Sequence, residues 1–149
     1  MNDQDTDASV KRSQTVPSEH GIATAKIAVQ NSETDLYDET ESPTLAELRL
    51  NEVFSGEWEG ESQVRALQVL RVDKSICMVS MQRFRGTLRG RRGTFILEGS
   101  ETVEDKKITA KWSVVPGSGT GDLSGLRGEG GFQGDFGKGS NGWLDYWFE

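Results

Sequence analysis

Two glutamines and a tryptophan, Gln68, Gln82 and Trp112, carry the chemistry this sequence offers most readily. Each sits in a short segment of alternating polarity, where it can aim an amide or indole N–H at a substrate held inside a sheet. Such groups need not titrate. They can hold a flexible substrate in a reactive fold and hydrogen-bond a polarised carbonyl while water is excluded. Met78, Ser80, Glu98, Ala110, Asp145 and Trp147 are assigned to the same inward row as substrate-binding residues. A purely structural core would use large aliphatic and aromatic side chains throughout. An unpaired polar group inside costs about 1–3 kcal/mol, and a polar ligand is one way to remove that cost. The plainer alternative is that these polar groups satisfy one another or reach water at the sheet ends. A one-residue error in strand phase would also turn every one of them to the opposite face.

Other chemistries fit the inventory less well. Glu98 and Asp145 are the carboxylates of the assigned row and the route to acid–base work within it, although exposed ion pairing is the commoner fate of such residues. The single histidine, His20, lies in a polar N-terminal stretch, and Cys77 has no histidine after residue 43 to activate it, which argues against nucleophilic catalysis. One histidine and one cysteine do not assemble a common zinc site, and no EF-hand loop is present, so neither metal nor cofactor is expected. The glycine-rich run VVPGSGTGDLSGLRGEGGFQG, residues 114–134, lacks the lysine of a phosphate-binding P-loop and the helical pattern of a dinucleotide fingerprint. Eleven of the 18 glycines fall between Gly117 and Gly142, which suits strands that must coil sharply to close a barrel.

The elements that must position these residues start at Thr44. Alternating runs at 45–56, 61–72, 75–88, 93–103, 108–115, 123–127, 130–136 and 142–149 predict eight strands, joined by connections such as VDKS, RGRR, EDKK and GKGSN. Connections this short make hairpins, hence an antiparallel sheet. The segment ICMVSMQRF has no fully polar face, so the barrel wall there is expected to be masked, by a second subunit or by the N-terminal segment.

Length and charge bound the rest. A chain of 149 residues suits one domain. Residues 1–43 hold nine acidic and three basic side chains, so most of the net charge of −7 belongs to them and residues 44–149 are close to neutral. With no basic face, nucleic acid is not expected as a partner. No apolar run approaches the roughly 20 residues of a membrane span, and no signal peptide or cysteine pair is evident, which reads as cytoplasmic. Residues 1–43 are expected to form a flexible acidic extension. Within it Ile22, Ile27 and Val29 give GIATAKIAVQ a weak amphipathic character, short enough for helix or strand, which suits either a lid that orders when a ligand or a neighbouring subunit adds contact or a solubilising tail with a few stray apolar residues.

The runs GTLRGRRGTFILEGS, KWSVVPGSGTGDLSGLRGEGGF and LDYWFE resemble a bacterial family of small barrels similar in fold to allene oxide cyclase, over most of residues 50–149. The resemblance implies an eight-stranded antiparallel barrel. It also implies kinship with cyclases that form spirotetronate or spirotetramate rings by intramolecular Diels–Alder reaction, some of which close an N-terminal extension over the barrel mouth; residues 21–41 are the segment to compare. The expectation is therefore a cofactor-independent cyclase of secondary metabolism acting on an apolar polyketide-like substrate, with Gln82, Trp112 and Gln68 as its catalytic groups. The alternative is a non-catalytic barrel that binds or carries a small apolar molecule.

Overall fold

The computed structural model describes residues 20–149, which form one closed antiparallel barrel of eight strands in sequential order. The strands are β1 (His20–Asp38), β2 (Thr44–Gly56), β3 (Trp58–Leu70), β4 (Ile76–Leu88), β5 (Arg91–Glu104), β6 (Lys107–Val114), β7 (Leu126–Asp135) and β8 (Gly139–Phe148). No helix among the described residues is long and apolar enough to cross a membrane.

Turn chemistry sets the register. Leu88 pairs with Arg91, and Glu104 with Lys107, so each of these hairpins turns on two residues. Those residues, Arg89–Gly90 and Asp105–Lys106, all have positive φ, the type I′ geometry whose twist matches that of the flanking strands. The connections RGRR and EDKK are therefore turns, as their sequence suggests.

The eight strands are not quite the eight expected. The segments 123–127 and 130–136 are not two strands. Leu126–Asp135 is continuous, and Gly121–Leu123 is a single 3-10 turn. The missing stave comes from the N-terminal side: β1 pairs with β8 from His20–Trp147 to Ile27–Ser140 and with β2 from Ala25–Gly56 to Asp38–Leu45. The barrel therefore begins at His20 rather than at residue 44, and the segment expected to be a flexible lid is a structural strand. Its three apolar side chains do not reveal this strand, because what holds it is two ladders of backbone hydrogen bonds. Ile27 is 4% exposed in the core, whereas Ile22 points outward and is 56% exposed. Residues 1–19, the rest of the expected extension, lie outside the described residues.

The core divides along the barrel axis. At one end Phe54, Trp58, Phe84, Phe95 and Trp112 pack ring against ring, with neighbouring centroids 4.8–6.1 Å apart. Offset and edge-on pairs of this kind add about 0.5–1.5 kcal/mol each beyond the burial of their area. At the other end a smaller aliphatic group, Leu48, Ala66, Met78 and Val103, lines the wall with Leu50, Ile76 and Ile108 packed against it. Polar side chains also point inward: Ser62, Gln68, Ser80, Gln82 and Glu101 are all buried.

Candidate functional site

The aliphatic end is not filled. A cavity of about 230 Å³ opens there, walled by Leu48, Leu50, Val64, Ala66, Met78, Ile108 and Phe132, with Glu52, Ser80, Gln82, Glu101, Asp135 and Ser140 among its polar members. Beyond Ile27, β1 has left β8 and continues against β2 alone. This ribbon contributes Val29, Ser32 and Thr34 to the cavity lining. The expected lid residue Val29 therefore does lie at the cavity, 37% exposed, but on a paired strand.

The polar groups are held by short hydrogen bonds across neighbouring strands. Ser62 Oγ donates to Gln82 Oε1 at 2.6 Å, and Ser80 Oγ donates to Glu101 Oε2 at 2.6 Å. Gly99 makes the second arrangement possible: a Cβ there would stand 2.8 Å from Glu101 Oε2 and 3.0 Å from Ser80 Oγ. The remaining oxygens are less well served. Among the described residues, the buried side-chain polar atoms without a partner are Glu52 Oε1, Glu101 Oε1 and Trp58 Nε1. The indole nitrogen belongs to the aromatic end, but both carboxylate oxygens belong to side chains that line the cavity.

Burial sets the protonation of this pair. Removal from water pushes the Glu52 carboxyl up to about 7, and the neighbouring Glu101 charge adds to the shift. Burial likewise raises Glu101 to about 7, against the opposing hydrogen bond from Ser80. With Glu101 only 6% exposed and no Lys, Arg or His among the described cavity-lining residues, nothing compensates two negative charges. Below about pH 7 the pair holds protons, so it can both donate and accept.

The expected site residues divide by strand. Gln68, Met78, Ser80, Gln82, Ala110 and Trp112 are inward and buried, and of these Met78, Ser80 and Gln82 line the cavity. Gln68 does not, and its Nε2 donates to Met78 Sδ at 3.6 Å. Trp112 packs in the aromatic end, and its Nε1 donates to the Trp143 carbonyl at 3.1 Å, so that donor is already engaged. Glu98, Asp145 and Trp147 are corrections: all three lie on the outer wall. Glu98 is exposed, Asp145 meets His20 Nε2 at 2.8 Å, and the Trp147 ring packs edge-on against His20. The inward row of β5 is Phe95, Leu97, Glu101 and Val103, and that of β8 is Leu144 and Tyr146, so a shift of one residue inverted both assignments.

These three outer residues do share a groove, of about 1120 Å³, with Trp143, Lys111 and Glu129. It is wide open to solvent and none of the partnerless buried atoms lies in it, so the smaller interior cavity is the better candidate. Glu52 and Glu101 were missed altogether. Their parity was available in the even positions Leu48, Leu50, Glu52 and Phe54 and in the odd positions Phe95, Leu97, Glu101 and Val103, but a glutamate in a strand is ordinarily assigned to water.

Fold and site together define a small antiparallel β-barrel with an acid-bearing interior cavity at one end. The chain belongs to the DUF3224 family, described as proteins of unknown function, whose sequence profile matches residues 23–149. A crystal structure of a DUF3224 protein with unknown function from Shewanella oneidensis MR-1 is similar, with a TM-score of 0.74 and 28% sequence identity. The likeness covers 88% of this chain and 99% of that one. No curated protein matches the chain.

Proposed function

We propose that this barrel binds one compact molecule with an apolar body and a polar head, the head lying between Glu52 and Glu101. The observation that carries this is the pair of partnerless carboxylate oxygens on an otherwise largely apolar cavity. A buried acceptor without a donor is costly, and a ligand that supplies the donor recovers that cost. At about 230 Å³ the cavity falls below the ~300–1,000 Å³ of drug-sized sites, which favours a small occupant over a polyketide chain. Native mass spectrometry of the protein from its producing organism, followed by identification of any co-purified compound, tests this. A retained small amphiphile is the expected result. A clean apo mass, together with no response of the Met78 methyl resonance to any small amphiphile, refutes it.

The protonation of the two acids favours a second, catalytic reading. A cofactor-independent isomerisation or cyclisation would use one carboxylate as base and the other carboxyl as acid, with Gln82 orienting a substrate oxygen. This keeps the cyclase expectation but moves its chemistry from Gln68 and Trp112 to Glu52 and Glu101. The closed eight-stranded barrel supports the resemblance to allene oxide cyclase-like proteins, and a cytoplasmic setting remains part of the proposal.

A second copy of the chain is the macromolecular partner that suits the outer wall. Leu67, Val79 and Met81 are each more than half exposed there. In register, Met81 lies between Arg65 and Glu98, so an apolar centre has opposite charges on its two sides. Such a row is self-complementary about a two-fold axis.

A further inference from the structure

The chemistry of the cavity narrows the polar head that would occupy it. Its buried atoms without a partner are Glu52 Oε1 and Glu101 Oε1, pure acceptors once the carboxyls ionise, while the Ser80 hydroxyl already donates to Glu101 and Ser32, Thr34 and Ser140 add further hydroxyls to the lining. Glu101 is more than nine-tenths buried. The third carboxylate on the lining, Asp135, is bound to Lys107 Nζ at 3.1 Å and is therefore committed. No basic side chain among the described lining residues faces either glutamate. The missing group is one that brings several donors and a positive charge. An ammonium has three donors and no acceptor.

We propose that this cavity takes a compact aliphatic amine, entering as its ammonium ion with the charge between Glu52 and Glu101 and its carbon body against Leu48, Val64 and Ile108. The proposal rests on the cavity being a ligand site. Binding is linked to protons, because a carboxyl that receives the ammonium releases its own proton to solvent while the amine keeps its charge. Affinity therefore rises with pH until both carboxyls ionise, by about tenfold per pH unit for each proton displaced, and is flat above that range. A second consequence is selectivity by head group: a carboxylate of the same size would add a third negative charge, and an alcohol brings only one donor.

The test uses n-hexylamine, 1-hexanol and hexanoate, titrated into the full chain carrying methyl-labelled methionine. Met78 lines the cavity and Met81 faces outward at 54% exposure, so the two methyl signals serve as probe and control. The expected result is a Met78 shift with n-hexylamine, at least about tenfold tighter at pH 8 than at pH 6, with proton release seen as a buffer-dependent binding heat. Glu101→Gln, checked for folding by its own spectrum, should weaken amine binding about tenfold or more while sparing any weak alcohol binding. If 1-hexanol or hexanoate moves Met78 and n-hexylamine does not, the amine proposal fails and the ligand cavity stands. If none of the three moves Met78, both fail. An amine response that is unchanged in Glu101→Gln also overturns the proposal.

Discussion

Replacing Glu101 by Gln should make the barrel more stable at alkaline pH, and the size of the effect follows from its surroundings. The carboxyl is held at about 7 by burial, against an ordinary value of 4.5. It binds its proton more tightly folded than unfolded, so its stabilising contribution is complete below about pH 4.5 and is lost as pH rises through about 7. The full excursion is worth ~3 kcal/mol. Gln keeps the shape and can still accept the hydrogen bond from Ser80 Oγ, but it has no charge to desolvate. The wild-type chain should therefore lose stability steeply between about pH 5 and pH 7, and the variant less so, because Glu52 also loses the repulsion of a neighbouring charge. Above about pH 8 the variant should lead by up to ~3 kcal/mol, on the order of 10 °C in melting temperature for a domain of this size. Thermal melts across that range measure it directly. The carboxylates that are lowered by hydrogen bonds, Asp38, Glu57, Asp73 and Asp135, titrate below the window and act with opposite sign. Parallel wild-type and variant curves between pH 5 and 8 would refute the reasoning, because Glu101 would then not be protonated in the fold.

Further outcomes test the rest of the structure. Gly99→Ala should push the Glu101 carboxylate off Ser80, lowering stability by about 1 kcal/mol and weakening whatever ligand response the cavity shows, as read by melting and by the Met78 methyl signal. Deleting residues 20–28 should abolish the cooperative unfolding transition, because β1 closes the sheet on both sides; a folded barrel after that deletion would restore the lid description. Val79→Lys should convert a dimer into a monomer in sedimentation without lowering the melting temperature of the single chain, and a wild-type protein that is already monomeric at high concentration would remove the proposed self-association.

Much of the barrel was legible because hairpin turns and period-two alternation are local signals. In ITAKWSVV, Ala110, Trp112 and Val114 all point inward as their spacing implies. What sequence left unread depends on pairing at a distance. The polar run around Asn31–Tyr37 has no inward stripe of its own, and only its ladder with β2 reveals it as strand. Glu98 was placed inward although Phe95, Leu97 and Val103 put the odd positions of its strand inside, so the phase of β5 was off by one. The two acids that build the candidate site were hidden for a related reason: their burial is a property of the closed sheet, not of their neighbours in sequence.

Closure by β1 also orders the events of folding. His20 and Asp145 touch although 125 residues separate them, so the first stave to leave the ribosome must wait for the last. Until β8 emerges, the edges of β1 and β8 have no partners, and the nascent sheet is an open ribbon. Formation of the cavity is therefore one of the final steps, reached only after a closure with a large entropic barrier. Newly made chains should pass through a stage in which both edges can pair with a neighbouring molecule, and this makes the interval before β8 pairs with β1 the time of greatest exposure to aggregation.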